Sequence, residues 1–340
     1  MVKTSLRARL AAGALALAAV TPVLSGCGGK ESIVLIGDGK KLSAEQIDAD
    51  PLALLPGGAV ALWQADAASL LASSMGPQVV RTSLTLVPLT PEMNFEPKRD
   101  LKKLYGAAYS MQSADVAMVA QGDFDVDAIK RAADQNRLSA IGKPLQKTSY
   151  GGNDLYLTGD VGFVALTSHS LLLGNPAGLR RALDRLRDGR VRREIPDWVA
   201  DLFKTPGAEL VVAADITGQS VAATVAQQVP LVQSLTRVRV IGDFKDPGMN
   251  LAGALTYTNA QTATAGNDQV RSLGAQATAL NYLSFLGISS PLRNLQTKLA
   301  DSDVQFAAQV DGPAFAGILD RVASSLRTAS TASSAPAATR

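Results

Sequence analysis

Ala59-Val60-Ala61-Leu62-Trp63-Gln64-Ala65 is an apolar run followed by Asp66, and Glu209-Leu210-Val211-Val212-Ala213-Ala214 is a second one followed by Asp215. Each run reads as a buried strand. Asp66 is an N-cap for a helix starting at Ala67, because a short carboxylate side chain accepts hydrogen bonds from the unpaired N–H groups of a first helical turn. Asp215 stands likewise before a helix ending near Pro230.

The elements after each run come in the same order. The first is followed by strands over Tyr105–Met111 and Val116–Gln121, joined by a polar turn at Gln112–Asp115. Asp125 caps a helix to about Arg137 with Val126, Ile129, Ala132 and Ala133 on its inner face. Strand-like runs at Leu155–Leu157, Phe163–Leu166 and Leu171–Leu173 lead to a helix opened by Pro176. After the second run, strands over Arg237–Asp243 and Leu251–Tyr257 are joined at Asp246-Pro247-Gly248, a good turn sequence. A helical region over Ala260–Leu299, interrupted near Gly287 and Pro291, leads to a strand over Val304–Val310 and a helix opened by Pro313.

This order predicts an internal duplication. The expected fold is α+β: two related units of mainly antiparallel sheet, each with helices packed on one face. Leu183-Asp184-Arg185-Leu186 and Leu319-Asp320-Arg321-Val322, each in a helix opened by proline, mark equivalent positions. The units are expected at 59–190 and 207–327, with a linker at 191–206 and a disordered Ser-, Thr- and Ala-rich tail at 328–340. Residues 27–58 are expected to be a tether with a short strand at Ile33–Ile36 and a break at Pro51–Gly58.

The first 26 residues follow another logic. Lys3, Arg7 and Arg9 make a positive start, and Leu10–Val23 an apolar core of 14 residues. That is short of the roughly 20 residues a membrane-spanning helix needs, so a cleaved leader is favoured over a permanent span. Leu24-Ser25-Gly26-Cys27 closes the core. It resembles the lipobox of bacterial lipoprotein signal peptides. The resemblance implies cleavage between Gly26 and Cys27, acylation of Cys27, and a permanent hold on a membrane by several chains. An ordinary secretory peptide is the competing reading, but Cys27 is the only cysteine and stands where the motif requires it. Residue 28 is Gly and not Asp, which by analogy with enteric sorting implies the outer membrane over the inner. The expected place is therefore the cell envelope, with the body facing the periplasm or on the cell surface. The body is also similar in pattern to uncharacterised duplicated bacterial envelope proteins.

Removing the leader takes three of the 33 basic residues and none of the 30 acidic ones, leaving a neutral body. A neutral body exerts no long-range pull on nucleic acid, which is therefore not an expected partner. At 46% hydrophobic and 19% charged the chain is a folded protein. Without Cys27 it has no thiol for a disulfide or a cysteine-based metal site.

Chemistry-bearing residues are sparse. The single histidine, His169, lies between two strand-like runs and reads as a turn residue; zinc would need three or four ligands, so neither a metal nor another cofactor is expected. No serine sits in Gly-x-Ser-x-Gly. Asp123, Asp125 and Asp127 alternate as in a calcium loop, but Ala128 and Asp134 fill the positions that need Gly and Glu, so Asp125 reads as a helix cap. Gly174-Asn175-Pro176-Ala177-Gly178 lacks the lysine of a phosphate loop and reads as a strand-to-helix turn. Trp198 and Phe203, in a helix after Pro196, read as packing anchors.

The strongest surface signal is the run Arg180, Arg181, Arg185, Arg187, Arg190, Arg192 and Arg193, diluted by Asp184 and Asp188. Guanidinium forks suit phosphates, so one reading is contact with lipid headgroups or an acidic envelope polymer; the other is a solvated helix face. The expectation is a lipid-anchored, non-catalytic structural or binding module that meets the membrane through Cys27 and an envelope protein or polymer through its body. Alternatives are a carrier whose Ala260–Leu299 region lines a cavity for lipid or another apolar ligand, and a hydrolase whose carboxylate or serine site is assembled only by the fold.

Overall fold

The computed structural model describes residues 34–35, 42–83, 89–110, 115–135, 137–139, 143–219, 230–282 and 290–317. A two-residue strand β1 (Val34–Leu35) comes first, then two short helices, α1 (Ala44–Ala49) and α2 (Pro51–Leu54). The first unit runs through β2 (Ala61–Asp66), α3 (Ala67–Ala72), α4 (Gly76–Ser83), α5 (Pro97–Asp100), β3 (Leu101–Ala108), β4 (Val116–Gly122) and α6 (Val126–Asp134). It ends with β5 (Gln146–Tyr150), β6 (Asn153–Thr158), β7 (Val161–Ala165), β8 (Ser170–Gly174) and α7 (Pro176–Arg187). After β9 (Arg190–Val191) and α8 (Asp197–Leu202), the second unit comprises β10 (Leu210–Asp215), β11 (Leu235–Asp243) and β12 (Gly248–Tyr257). It continues through a 22-residue helix α9 (Ala260–Asn281), β13 (Leu292–Ala300), β14 (Asp303–Asp311) and a helix of which 312–317 are described.

Both units share one twelve-stranded sheet in the order β13-β14-β12-β11-β10-β2-β3-β4-β8-β7-β6-β5. Every pairing is antiparallel. The expected α+β duplication is therefore continuous, with β2 and β10 as the seam. The seam is two-fold in its hydrogen bonds. Asp66 N–H donates to Glu209 C=O (2.6 Å), and Asp215 N–H donates to Val60 C=O (2.9 Å), each residue 149 positions from its counterpart (66 to 215, 60 to 209).

The duplication is marked by capping residues. Asp125 caps α6 through Ala128 N–H (2.8 Å), and Asn259, 134 positions later, caps α9 through Thr262 N–H (2.9 Å). Asn175 caps α7 through Gly178 N–H (2.9 Å), and Asp311, 136 positions later, accepts from Ala314 N–H (3.0 Å). Leu183 and Leu319 are also 136 apart, although Leu319–Val322 lie outside the described residues. A break in register at Leu101/Lys103 opposite Gly122/Gln121 recurs at Leu235/Arg237 opposite Tyr257/Thr256. Bulges re-aim a strand, and two at equivalent places mark the same local bend built twice.

In the first unit helices cover both faces of the sheet, not one as expected. Leu172 and Val164 pack with α7 and α2, whereas Leu171, Leu173 and Phe163 pack with α6. The reason is in the strand: Leu171-Leu172-Leu173 is apolar at every position, the pattern of a strand buried on both sides. In the second unit α9 packs on Leu255, Tyr257 and Val304 through Ala263 and Val270. Gly266 lets α9 approach closely, since a side chain there would overlap the Tyr257 ring.

Other expectations are corrected. The break expected over Pro51–Gly58 starts only at Leu55: Pro51–Leu54 form α2, Leu52–Leu55 are buried in the first core, and α1 before them carries a Ser43–Gln46 capping box. The 191–206 linker packs too, with Val191 and Val199 buried. Leu292–Leu299, expected to be helical, belongs to β13. Its leucines at 292, 295 and 299 mimic a helical spacing because a bulge between Arg293 and Gln296 interrupts the two-residue period. β5, whose residues Gln146–Ser149 are exposed, gave no apolar signal. Residues 220–229 of the helix expected after Asp215, and the whole tail at 328–340, lie outside the described residues.

Gly106 of β3 faces Trp63 of β2 across the seam side of the first unit, and an added Cβ would overlap the indole ring. Gly106→Ala should therefore lower stability by roughly 1–3 kcal/mol, read as a smaller urea midpoint with an altered tryptophan emission.

Candidate functional site

The arginine run folds into one edge of the first unit. Pro176 and the Asn175 cap start α7, and Leu179, Ala182 and Leu183 fix its inner face against the core. That phase leaves Arg180, Arg181 and Arg187 exposed but turns Arg185 inward, where it is only 5% exposed. Gly189, at φ 69°, turns the chain into β9, a conformation glycine adopts without strain.

Carboxylates are shared along this edge. Glu194 receives Arg185 Nη1 at 2.7 Å and Arg192 Nε at 3.2 Å. Asp188 receives Arg187 Nε at 3.2 Å and Arg190 Nη2 at 2.9 Å. Arg187 also reaches Asp184 at 3.0 Å, Arg181 pairs with Asp115 while lying over the Tyr109 ring, and Arg193 holds the buried Asp50 at 2.7 Å. Arg180 sits over the Tyr150 ring at 5.5 Å. Burial works against ionisation of Glu194, but the hydrogen bonds from Arg185 and Arg192 outweigh it and hold the carboxyl below its ordinary range. Asp188 is held low in the same way by Arg187 and Arg190.

β1 joins this edge. It pairs antiparallel with β9, Val34 opposite Val191 and Leu35 opposite Arg190. The next described segment is stitched to the same unit: Asp48 Oδ1 accepts from Thr167 Oγ1 and Ser170 Oγ, both at 2.6 Å, and Gln121 Nε2 donates to the Asp48 carbonyl at 2.9 Å. The α1–α2 contribution was missed in the sequence, although Ser43-x-x-Gln46 was a legible start signal.

The remaining candidates are separate. His169 stands in the β7–β8 connection, its Nδ1 3.0 Å from the Gly122 carbonyl and 3.1 Å from Asp123 Oδ1, while Lys102 holds the other Asp123 oxygen at 2.7 Å. Asp125 is occupied as the α6 cap. Among the described residues no three His, Cys, Asp or Glu side chains gather as a metal site, and no helix is long and apolar enough to cross a membrane. Trp198 lies against the first core, with Arg237 over its ring at 5.6 Å. Gly26 and Cys27 lie outside the described residues. Open troughs lie in the second unit: one of about 490 Å³ between α9 and β13, lined by Arg271, Gly274, Ala277 and Leu295, and one of about 790 Å³ beside Ile241, Ala252 and Ala307.

No protein-family model matches the chain, and none of the curated proteins matches it. Solved structures do. Crystal form I of TP0453 superposes with a TM-score of 0.51 at 10% identity, covering 81% of this chain and 97% of that one. Crystal form III of TP0453 gives a TM-score of 0.51 at 11% identity, covering 81% and 98%. At such identities the likeness shows a shared α+β fold.

Glu194→Gln would leave Arg185 buried without its charged partner. It should cost roughly 2–3 kcal/mol at neutral pH, measured by urea unfolding. Because the folded-state carboxyl is held low, its stabilisation is complete above about pH 5 and fades as pH falls through the lowered value, so wild type and variant should converge in acid.

Proposed function

We propose that this chain is a lipoprotein of the bacterial cell envelope, fastened by acyl chains on Cys27, with a non-catalytic body that acts as a structural or binding module. The observation that carries the reading is Leu24-Ser25-Gly26-Cys27, closing a 14-residue apolar core and holding the only cysteine of the chain. Each buried methylene contributes about 0.8 kcal/mol, so several acyl chains make the hold permanent. The attachment of the body's first segments agrees with a load-bearing tether: β1 is paired to β9, and Leu52–Leu55 are buried at 1–4% exposure. The outer membrane is the proposed site, with the body facing the periplasm or the cell surface and an envelope protein or acidic polymer as its partner.

A second reading, carriage of an apolar ligand, is favoured by the open trough beside Ile241, Ala252 and Ala307, whose volume is within the range of ligand sites. A trough of about 490 Å³ between α9 and β13, lined by Gly274, Ala277, Thr278 and Leu295, lies within Ala260–Leu299 itself and supports the same reading. Mass spectrometry of the purified protein separates the two: stoichiometric co-purifying lipid, beyond the acyl chains on Cys27, supports the carrier.

Cys27→Ala should leave the leader attached and abolish the mass of the acyl groups. Intact-mass measurement of the native protein reads this directly; a native chain with a free Cys27 thiol would refute the anchor.

A further inference from the structure

We propose that the α7–β9 edge is the membrane-facing side of the body and that its exposed arginines bind the phosphates of anionic phospholipid headgroups. The inference rests on the anchored reading above and adds an orientation and a lipid class to it. Covalent reach carries it first. Six residues lie between Cys27 and Val34, so the seven steps from one to the other span at most about 25 Å fully extended. Val34 and Leu35 pair with Val191 and Arg190, so the tether ends inside the arginine-rich stretch.

Charge carries it second. The seven arginines of residues 180–193 face five carboxylates, those of Asp50, Asp115, Asp184, Asp188 and Glu194. Asp188 and Glu194 are each divided between two guanidiniums, and Arg180 meets a ring in place of a carboxylate. The body is neutral overall, so this excess is local. Arg187, Arg190 and Arg192 have side chains 55%, 59% and 65% exposed, and exposed ion pairs are weak enough for a phosphate to displace. Their planar forks bind phosphate in two-pronged fashion.

The test uses the native acylated protein reconstituted in vesicles of phosphatidylcholine alone or with phosphatidylglycerol added. Phenylglyoxal modification at Arg187, Arg190 and Arg192 is followed by peptide mass, with Arg131 as an internal reference. The proposal expects modification of the three to slow roughly fivefold in the anionic vesicles, the equivalent of about 1 kcal/mol for an arginine near an anionic surface. The triple variant Arg187→Gln, Arg190→Gln, Arg192→Gln should still float with both vesicles but lose its preference for the anionic ones. Equal modification in the two vesicles, with flotation intact, would overturn the orientation and leave the anchor standing. Protection by soluble polyphosphate but not by vesicles would overturn it in favour of an acidic polymer. Failure to float with either vesicle sinks the anchor, and this inference with it.

Discussion

Everything in the sheet depends on the seam between β2 and β10. Five register pairs, from Leu210 opposite Ala65 to Ala214 opposite Ala61, are extended by the reciprocal hydrogen bonds of Asp66 and Asp215. Split there, each unit would present a raw strand edge, and Leu62 and Ala213, which share one core, would lose each other. Each seam aspartate is both the last residue of its strand and a capping acceptor, for Ser69 N–H at 2.9 Å and Thr217 N–H at 3.1 Å. Strand end and turn are thereby fixed by one side chain. A cation stands in register opposite each, Lys103 and Arg237, and Arg237 closes on Asp215 at 3.1 Å.

The sequence disclosed this frame because the seam uses signals that act locally. An apolar run ending in Asp is readable from a few residues, and so are Asn175-Pro176 and the aspartate before α6. What stayed hidden depended on partners distant in the chain. The Leu171–Leu173 run declared itself apolar, but only pairing with β4 and β7 tells that both faces are covered. β13 deceived through its bulge, which converts a two-residue alternation into a spacing of three and four. The arginine run was visible as composition; its division among Asp50, Asp115 and Glu194 was not, since two of those carboxylates come from 66 or more positions away.

That division changes what the charge means. A solvated helix face with alternating signs would neutralise itself within one or two turns. Here Arg185 is drawn inside and takes half of Glu194, so Arg192 shares a carboxylate already engaged. Burying one guanidinium thus leaves another under-compensated at the surface. The lowered carboxyls of Glu194 and Asp188 report the same positive field from the acidic side.

The two units have also diverged in a consistent direction. The first adds the β5–β6 hairpin and recruits α1 and α2 from the segment before it, so that its sheet is enclosed on both faces. The second keeps the shorter pattern, with α9 on one face and Ala252 and Ala307 still exposed on the other. Enclosure joins the first unit firmly to the segment that precedes it, through Asp50–Arg193 and Asp48–Ser170. The asymmetry follows from the copy on which the preceding segment packs, since α2 lies in the core of the first unit. The first copy is stiffened by packing on both faces of its sheet, while the copy beyond the seam retains an exposed sheet face at Ala252 and Ala307.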